Sequence, residues 1–325
     1  MRTEPTDVVP RNVTEEHFPI MGSAGHLVVV GGPDGLVRTG IDRLDGLEAR
    51  WSRFRPTSEI SRLNAAGGAP CLVSGPTRLL VEALQSAWEL TDGRFYPTVG
   101  QALGRLGYDH SWPLLAPPIR LPRAHPSVGC AGVSIDLEDG LVRLPAGLTL
   151  DPGGLGKGLA ADMVATELRA AGADGVLVNV GGDLRVIGTP PDGDDWLIAV
   201  EDPERPDDPG HHLTHLALTG GGVATSTAAR RHWTTRDGTP VHHLIDPATS
   251  LPSTTTRRQV TTVAGCAWWA EALAKVAFLD GTLPDVQAGA LIVERDGSTS
   301  SIGQLDRFAR QITRHQITRQ TETVA

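Results

Sequence analysis

The chain is poor in features that mark several protein classes. Its three cysteines are widely spaced and form no C-x-x-C pair, so the sequence indicates neither a disulfide scaffold nor a zinc knuckle. No stretch approaches the roughly 18 consecutive apolar residues of a membrane-spanning helix. Residues 1–17 contain no apolar run, which argues against a secretory signal or lipid anchor there. We therefore expect a cytoplasmic protein without a membrane span.

Basic and aromatic residues are scarce as well. The formal net charge is −9, which argues against a general nucleic-acid binder because phosphate contacts need a basic face. The plainer role of this acidic excess is solubility. Aromatic residues make up only 4% of the chain, so the core must be built from Val, Leu, Ile and Ala. Any anion-binding site has to be a local pocket.

The order of the apolar segments predicts mixed secondary structure. Helical patterns cover four segments, 36–54, 77–90, 157–171 and 267–278. Strand-like runs lie at 26–30, 141–150, 175–180, 184–187, 196–200, 214–218, 260–263 and 291–294. Several of these strands are joined as hairpins. That arrangement is typical of an α+β fold of mixed layered sheets with flanking helices rather than of a purely parallel sheet.

The composition also predicts how the chain is divided. We expect a flexible N-terminal arm over residues 1–17 and a polar C-terminal tail, rich in Gln, Arg and Thr, over 304–325. Residues 18–303 then form a single domain of two intimately joined lobes. With 325 residues, 40% of them hydrophobic, the chain is long enough to build such a core.

A glycine-rich segment stands directly before a predicted helix, Asp151-Pro-Gly-Gly-Leu-Gly-Lys157-Gly. Glycines let a backbone approach a ligand closely, a helix N-terminus offers unpaired N–H groups to an anion, and Lys157 adds a full charge. The segment lacks the Ser or Thr that follows a P-loop lysine and has the wrong spacing for a Rossmann fingerprint. It indicates either a phosphate site of another kind or a glycine-rich turn that only permits tight packing.

Four further segments place polar or glycine residues where regular structure is expected to stop. They are Met21-Gly-Ser23, Ser58-Glu-Ile-Ser-Arg-Leu-Asn64, Val178-Asn-Val-Gly-Gly-Asp183, and Thr225-Ser226 with His242-His-Leu-Ile-Asp-Pro247. In this order, and together with the glycine-rich segment, they resemble the FAD:protein FMN transferases, the ApbE-like flavin transferases. The resemblance runs from about Met21 to about Asp296 and implies the layered, T-fold-like architecture of that family.

The resemblance implies a reaction and its partners. FAD is cleaved at its pyrophosphate, FMN is attached through a phosphoester to a threonine of an acceptor flavoprotein, and AMP is released. This is phosphoryl transfer, in which positioning and charge neutralisation supply most of the acceleration. Two alternatives use the same site. One is an FAD-binding or storage protein that transfers nothing, and the other is an FAD pyrophosphatase that releases FMN and AMP.

Two residues are the predicted catalytic pair. His243 matches the histidine of the family's H-[IL]-I-D-P segment, and a neutral imidazole there can take the proton of the acceptor hydroxyl. We prefer it to His242, which points to the other face if this segment is a strand. Lys157 matches the motif lysine and would neutralise the pyrophosphate. The alternative is a solvated lysine in the first helical turn, although cations are disfavoured at that end of a helix.

The resemblance also implies which residues surround FAD. They are Met21, Phe54, Arg94, Phe95, Tyr96, Asp151, Lys157, Thr225, Ser226 and Ile245. Core packing is the alternative for Met21 and Phe54, and helix capping is the alternative for Asp151. Tyr96 stands where relatives often carry a carboxylate and Arg94 where they carry a small residue. The hydrogen bonding of this loop must therefore differ from theirs.

The expected metal site departs most from the family pattern. The resemblance implies Mg²⁺ held by the carbonyl of Gly154 and by an Asp and a Thr in the last helix, positions that are Glu271 and Lys275 here. Glutamate can ligate magnesium, whereas lysine cannot. Three interpretations are open. The two residues form an ordinary i,i+4 pair, the Lys275 ammonium stands where the cation would lie, or Glu271 is a lone weak ligand beside Gly154. The sequence leaves open whether magnesium is required.

Overall fold

The computed structural model describes residues 12–308, except 112–114, 116–117, 119, 193, 206–207 and 209, and the backbone of 323–324. The helices in this part are α1 (Leu36–Trp51), α2 (Glu59–Ala65), α3 (Gly75–Leu90), α4 (Gly100–Arg105), α5 (Gly156–Ala170) and α6 (Ala267–Asp280). The strands are β1 (Val13–Ile20), β2 (Ser23–Val30), β3 (Cys71–Leu72), β4 (Ser134–Asp136), β5 (Leu141–Arg143), β6 (Gly175–Val180), β7 (Asp183–Gly188), β8 (Trp196–Glu201), β9 (His212–Leu218), β10 (Gly221–Thr227), β11 (His232–Thr234), β12 (Pro240–His242), β13 (Ile245–Asp246), β14 (Leu251–Pro252), β15 (Arg257–Ala264), β16 (Gly289–Glu294), β17 (Thr299–Gly303) and β18 (Thr323–Val324). Two 3-10 turns cover Pro152–Gly154 and Leu305–Arg307.

Eight strands form a central antiparallel sheet in the order β1-β2-β6-β7-β10-β15-β16-β17. Three of its neighbouring pairs, β1–β2, β6–β7 and β16–β17, are hairpins of consecutive strands. Smaller sheets are made by β18, β8 and β9 and by β3, β5 and β4. The fold is therefore α+β with mixed layered sheets, as the hairpin pattern predicts.

The central sheet is covered on both faces. Along β2, Leu27 and Val29 belong to the core formed with α1 and α5, whereas Val28 and Val30 belong to a second core shared with β8 and β9. Because successive side chains of a strand point to opposite faces, a strand covered on both sides is apolar at every position. This explains why residues 27–30 form a continuous apolar run, and all four are buried.

The helices α5 and α6 pack closely, and this contact positions much of the site described below. A Cβ added to Gly158 would lie 2.5 Å from the carbonyl oxygen of Ala267, so no larger residue fits between the helices there. Asp162 of α5 accepts the backbone N–H of Ala267 (2.9 Å) and of Trp268 (2.8 Å), which caps the N-terminus of α6.

The N-terminal prediction is wrong for part of its range. Residues 13–17, expected in a flexible arm, lie in β1 and pair along its whole length with β2, while residues 1–11 lie outside the described part. The polar side chains of this stretch are those of an edge strand with an exposed face, which has no long apolar run to reveal it.

Two other expectations are corrected. The strand predicted over 141–150 stops at Arg143, and the chain continues without regular structure to Asp151. At the other end, Leu305 is buried in the core under the central sheet and the Phe308 carbonyl accepts the N–H of Ala217 (2.8 Å), so the polar tail does not begin at 304. Residues 309–322 lie outside the described part. Among the described helices, none has the length and apolar character needed to cross a bilayer.

Candidate active site

One cleft gathers residues that are far apart in the chain. Its walls come from the β1–β2 turn, the end of α1 with the loop after it, residues 94–99, the glycine-rich segment, residues 243–247 and the last turns of α6. Ten of the predicted site residues line it, namely Met21, Phe54, Arg94, Phe95, Tyr96, Asp151, Gly154, Lys157, His243 and Ile245. Lys275 lines it as well.

Three predicted site residues, Thr225, Ser226 and Glu271, are not among the residues lining this cleft. Thr225 lies on β10, and its hydroxyl shares a hydrogen bond with that of Thr261 on β15 (2.8 Å). Ser226 beside it is buried, and Glu271 is buried under the two cleft lysines. The direct contact of Thr225 and Ser226 with a flavin stays a prediction.

Two of the segments that carry the family resemblance position backbone next to the cleft. Ser58 caps α2 by accepting the N–H of Ser61 (3.0 Å). Asn64, at the other end of the same segment, holds Leu150 by a pair of backbone contacts of 2.8 and 2.9 Å and so fixes the chain directly before Asp151. Asn179 accepts the N–H of Gly182 (2.8 Å) and closes the turn that presents Asp183. These asparagines position neighbouring segments of backbone.

Asp151 has the bonding of a cap. One carboxylate oxygen accepts the N–H of Gly153 (2.8 Å) and the other lies 3.4 Å from the Nε of Arg53. Its own N–H donates to the carbonyl of Pro97 (2.7 Å), which ties the glycine-rich segment to the loop at 94–97. Both carboxylate oxygens of this residue are thus engaged within the protein, in agreement with the capping alternative.

The loop at 94–97 packs against the glycine-rich segment. A Cβ on Gly154 would come within 2.7 Å of the Phe95 ring, so a glycine is needed there for close packing. Arg94 donates to the carbonyl of Thr91 (2.9 Å) and to the hydroxyl of Thr282 (3.1 Å). Its guanidinium therefore links this loop to the chain just beyond α6.

Lys157 lies at the bottom of the cleft between two carboxylates. Its ammonium forms an ion pair with Asp183 and another with Glu271, whose Oε1 is 2.9 Å away. Burial lowers the pKa of Lys157 to about 8, and the Glu271 carboxylate limits the fall. Burial alone would raise the pKa of Glu271, but the ammonium groups of Lys157 and Lys275 outweigh it and hold this pKa below its usual range. The carboxylate is therefore ionised at neutral pH.

The donor set around Glu271 does not fit magnesium. Its Oε1 is shared by Lys157 and Lys275 (3.3 Å), and its Oε2 accepts the N–H of Gly158 (2.9 Å). Magnesium demands near-octahedral oxygen ligands, and two ammonium groups repel it. Of the carboxylates that line the described cleft, Asp151 is engaged as above and Glu48 accepts the N–H of Met21 (3.0 Å).

His243 is held as a neutral base. Its Nδ1 lies 3.3 Å from the carbonyl oxygen of Arg231, and a carbonyl only accepts hydrogen bonds, so Nδ1 carries the proton and Nε2 keeps its lone pair. Burial, reinforced by the charges of Arg231 and Lys275, lowers the pKa of His243 well below its usual value of 6.5. The imidazole is consequently unprotonated at pH 7, as a general base must be.

His242 is oriented differently. Its Nε2 lies 3.0 Å from the carbonyl of Ser253 and its Nδ1 accepts the N–H of Leu244 (3.2 Å). Both ring nitrogens are thus used by the backbone, and the residue does not line the cleft. The catalytic role of His243 stays a prediction.

An aromatic wall closes another side of the cleft. The rings of Phe54 and Tyr108 lie 5.7 Å apart, and the guanidinium of Arg53 lies 4.3 Å from the first and 4.9 Å from the second. Arg231 donates to the hydroxyl of Tyr108 (3.2 Å) and so connects this wall to His243. Flat aromatic and guanidinium surfaces of this kind can stack on a ring system.

Sequence reasoning did not single out Arg53, Tyr108, Arg231 and Asp183. Two of them had a signal in the sequence, because Asp183 ends one of the segments that carry the resemblance and Arg53 directly precedes the predicted site residue Phe54. Arg231 had no such signal because it is one of 27 arginines and reaches the cleft only through the tertiary fold.

The fold and the cleft together define a class of protein. Aromatic side chains, a cluster of cations and a neutral histidine line one cleft of a layered α+β domain, which suits an enzyme acting on a ligand that joins a ring system to phosphate. The chain belongs to the ApbE family, whose family model matches residues 21–297.

Individual relatives support the same family assignment. The FAD:protein FMN transferase of Treponema pallidum is 30% identical over 252 residues, which are 71% of this chain and 67% of that protein. The ApbE protein of Thermotoga maritima matches with a TM-score of 0.80 at 27% identity, over 92% of this chain and 100% of that one. The flavinyl transferase ApbE of Pseudomonas stutzeri matches with a TM-score of 0.74 at 26% identity, over 93% and 98%. The family resemblance and the fold predicted from it are confirmed.

Proposed function

We propose that this protein transfers FMN from FAD to a threonine of an acceptor protein. The threonine oxygen bonds to the phosphorus of the riboflavin phosphate, and the anhydride bond to the AMP phosphate breaks. The bridging oxygen leaves on AMP with the bonding electron pair, and the threonine proton passes to a base. The observation that carries the proposal is that His243, neutral and fixed at Nδ1, lines the same cleft as Lys157, Lys275 and Arg231.

The side chains divide the work. His243 accepts the hydroxyl proton at Nε2, which raises the nucleophilicity of the threonine. The ammonium and guanidinium groups of Lys157, Lys275 and Arg231 stabilise the charge that develops on the phosphates and on the departing AMP. The Phe54–Tyr108 wall offers a surface for a flavin or adenine ring.

Magnesium has no step in this mechanism. If an ion bound, the carbonyl of Gly154 and the carboxylate of Glu271 would hold it and it would add positive charge near the phosphates. Both oxygens of Glu271 are already bonded to Lys157, Lys275 and Gly158, which supports a mechanism based on side-chain cations.

The acceptor and the location are further parts of the proposal. The acceptor is a flavoprotein that presents an accessible threonine, and the reaction takes place in the cytoplasm. Fractionation of cells that express the chain tests the second point, with enrichment in a membrane or periplasmic fraction as the contrary result.

The test of the proposed function is transfer itself. Purified protein is incubated with FAD and a threonine-motif acceptor, and mass spectrometry follows FMN on the acceptor while chromatography follows AMP. Equal amounts of modified acceptor and AMP are expected, and His243→Gln should lower the rate of formation of both by about 10²–10⁴-fold. A known FMN transferase is run on the same acceptor as a control. FMN and AMP in solution without modified acceptor would indicate a pyrophosphatase, and bound, intact FAD would indicate a storage protein.

A further inference from the structure

The chain contains only two lysines, and both contact the same carboxylate. Apart from the histidines, every other basic residue of the chain is one of 27 arginines. The Nζ atoms of Lys157 and Lys275 lie 2.9 and 3.3 Å from Oε1 of Glu271. A lysine is a compact point charge, whereas the guanidinium of arginine is broad and planar. Both lysines of the chain thus supply compact positive charge at one site.

The charges around this point favour an anion over a metal ion. Lys157, Lys275 and Arg231 line the cleft, and the carboxylates among them, Asp183 and Glu271, are buried and bonded to the cations. The side chain of Lys275 remains 21% exposed. The ammonium groups therefore attract the diphosphate of an incoming ligand. The same groups repel a divalent cation, and within the described lining of the cleft every carboxylate oxygen already has a partner.

We propose that the Lys275 ammonium takes the electrostatic part of a divalent cation, so that this protein cleaves the FAD diphosphate without bound metal. The proposal rests on the proposed function. Lys275 neutralises the phosphates directly, and Glu271 positions it by holding its Nζ through an i,i+4 contact within α6. Glu271 in turn accepts the N–H of Gly158, so the packing of α5 against α6 fixes the position of the Lys275 ammonium.

The first test compares transfer with EDTA and with MgCl2. The full chain should transfer FMN at rates within about twofold of each other in the two conditions. Lys275→Thr removes the charge, and its transfer in EDTA should fall at least about 100-fold, as when one stabilising donor is lost from an active site. Lys275→Arg should recover part of that loss. Arg38→Thr, which removes an exposed cation on α1 outside the cleft, should change nothing.

The second test does not depend on activity. Because there are two lysines, labelling with ¹³C at the lysine ε-carbon gives two signals from the whole chain. Paramagnetic Mn²⁺ bound at Glu271 and Gly154 would broaden both signals at one equivalent, whereas we expect them to stay sharp. Stoichiometric broadening, or transfer that EDTA abolishes and Mg²⁺ restores, overturns the inference. If no transfer occurs in any condition while the reference transferase modifies the acceptor, the proposed function fails and cleavage without metal fails with it. The Mn²⁺ result then decides separately whether Lys157 and Lys275 keep a divalent ion out of the site.

An independent cluster lies on the β1–β2 hairpin. Glu15 and His17 are two residues apart on β1 and share a face, and His26 of β2 pairs with His17 across the ladder. The two imidazole rings stack at 3.9 Å, and Nε2 of His26 is 3.0 Å from the Glu15 carboxylate. One ligand atom from each of the three residues lies within 4.8 Å of the others.

We infer that this cluster is a site for a divalent transition-metal ion. Two imidazoles and a carboxylate are a ligand set that suits Zn²⁺, Ni²⁺ or Cu²⁺. His26 is buried and gives a fixed ligand, whereas Glu15 and His17 are exposed and can turn towards a shared ion. None of the three lines the cleft, so the site is separate from the flavin chemistry.

Co²⁺ is a suitable probe because its visible absorption reports coordination by protein. The full chain should bind one Co²⁺ with nitrogen ligands, and Zn²⁺ should displace it. His17→Gln should weaken binding at least about 10-fold, the range seen for loss of a supporting group at a metal. His232→Gln, a change at an exposed histidine outside the cluster, should leave binding unchanged. Absence of binding, or weak binding that His17→Gln does not alter, would mean adventitious ions only and would overturn the inference.

Discussion

Asp162 of α5 caps the first turn of α6 by accepting the backbone N–H of Trp268 at 2.8 Å. Its other oxygen accepts the N–H of Ala267 and lies 3.5 Å from the Nε of Arg185. Because α5 carries Lys157 and α6 carries Glu271 and Lys275, this one side chain fixes the position of Lys157 relative to Glu271 and Lys275. The stability of the helix pair and the geometry of the site are thus linked.

Replacing Asp162 by Asn tests the charge of this cap. Burial raises the pKa of Asp162 to about 6 from an ordinary value of 3.8, although hydrogen bonds from Ala267 and Trp268 oppose the rise. Between these values the folded chain binds more protons than the unfolded chain, so this group makes the free energy of unfolding fall as pH rises. In urea titrations from pH 4 to 7, the wild type should lose stability relative to Asp162→Asn as pH increases. Parallel curves would contradict the assignment.

Gly158→Ala should open the contact between α5 and α6. The new Cβ would lie 2.5 Å from the backbone oxygen of Ala267, and backbone cannot turn aside as a flexible side chain can. We expect a loss of about 1–3 kcal/mol in the free energy of unfolding, the usual cost of overpacking. Gly104→Ala is the matched control, because nothing lies within 4 Å of its Cβ and alanine favours helix α4. Equal effects of the two changes in thermal or urea denaturation would refute this account.

Much of the fold could be predicted from the sequence because burial leaves a clear pattern. The run at 175–180 matches β6, and the helix predicted to start at Ala267 begins there. β1 escaped prediction because its pairing with β2 is a tertiary event, while its own exposed side chains resemble those of a polar arm. The strand predicted over 141–150 was too long because apolar alternation after Arg143 reflects burial of irregular chain such as Leu148.

The site was predictable where chemistry sits in short local segments. Lys157 and His243 lie in such segments, and the fold brings both to one cleft. The partners of Glu271 could not be assigned in the same way. Its i,i+4 neighbour Lys275 follows from helix geometry, but its contact with Lys157 depends on how α5 packs against α6 across 114 residues of chain. Sequence spacing carries no information on such packing.

The transfer rate should be constant near neutral pH and should decline at alkaline pH. The pKa of His243 lies well below 6.5, so the base is already neutral at pH 6.5. Lys157 loses its charge above its pKa of about 8, and the rate should decline there. The folded pKa of Lys157 is below its unfolded value, so the free energy of unfolding rises with pH from this group between about 8 and 10.5, and unfolding does not explain the decline. Lys157→Arg should move the decline to higher pH; an unmoved decline would assign it to another group.

His243→Gln should separate catalysis from binding. The imidazole serves to move a proton, so its loss should lower FMN transfer by about 10²–10⁴-fold, the range for removal of a general base. FAD affinity, measured by quenching of flavin fluorescence, should change only a few-fold because Lys157, Lys275 and the Phe54–Tyr108 wall remain. His242→Gln is the neighbouring control, since its ring nitrogens are bonded to the backbone outside the cleft. Once corrected for the folded fraction, its rate should match the wild type. If His242→Gln loses transfer and His243→Gln keeps it, the two histidines have the opposite roles.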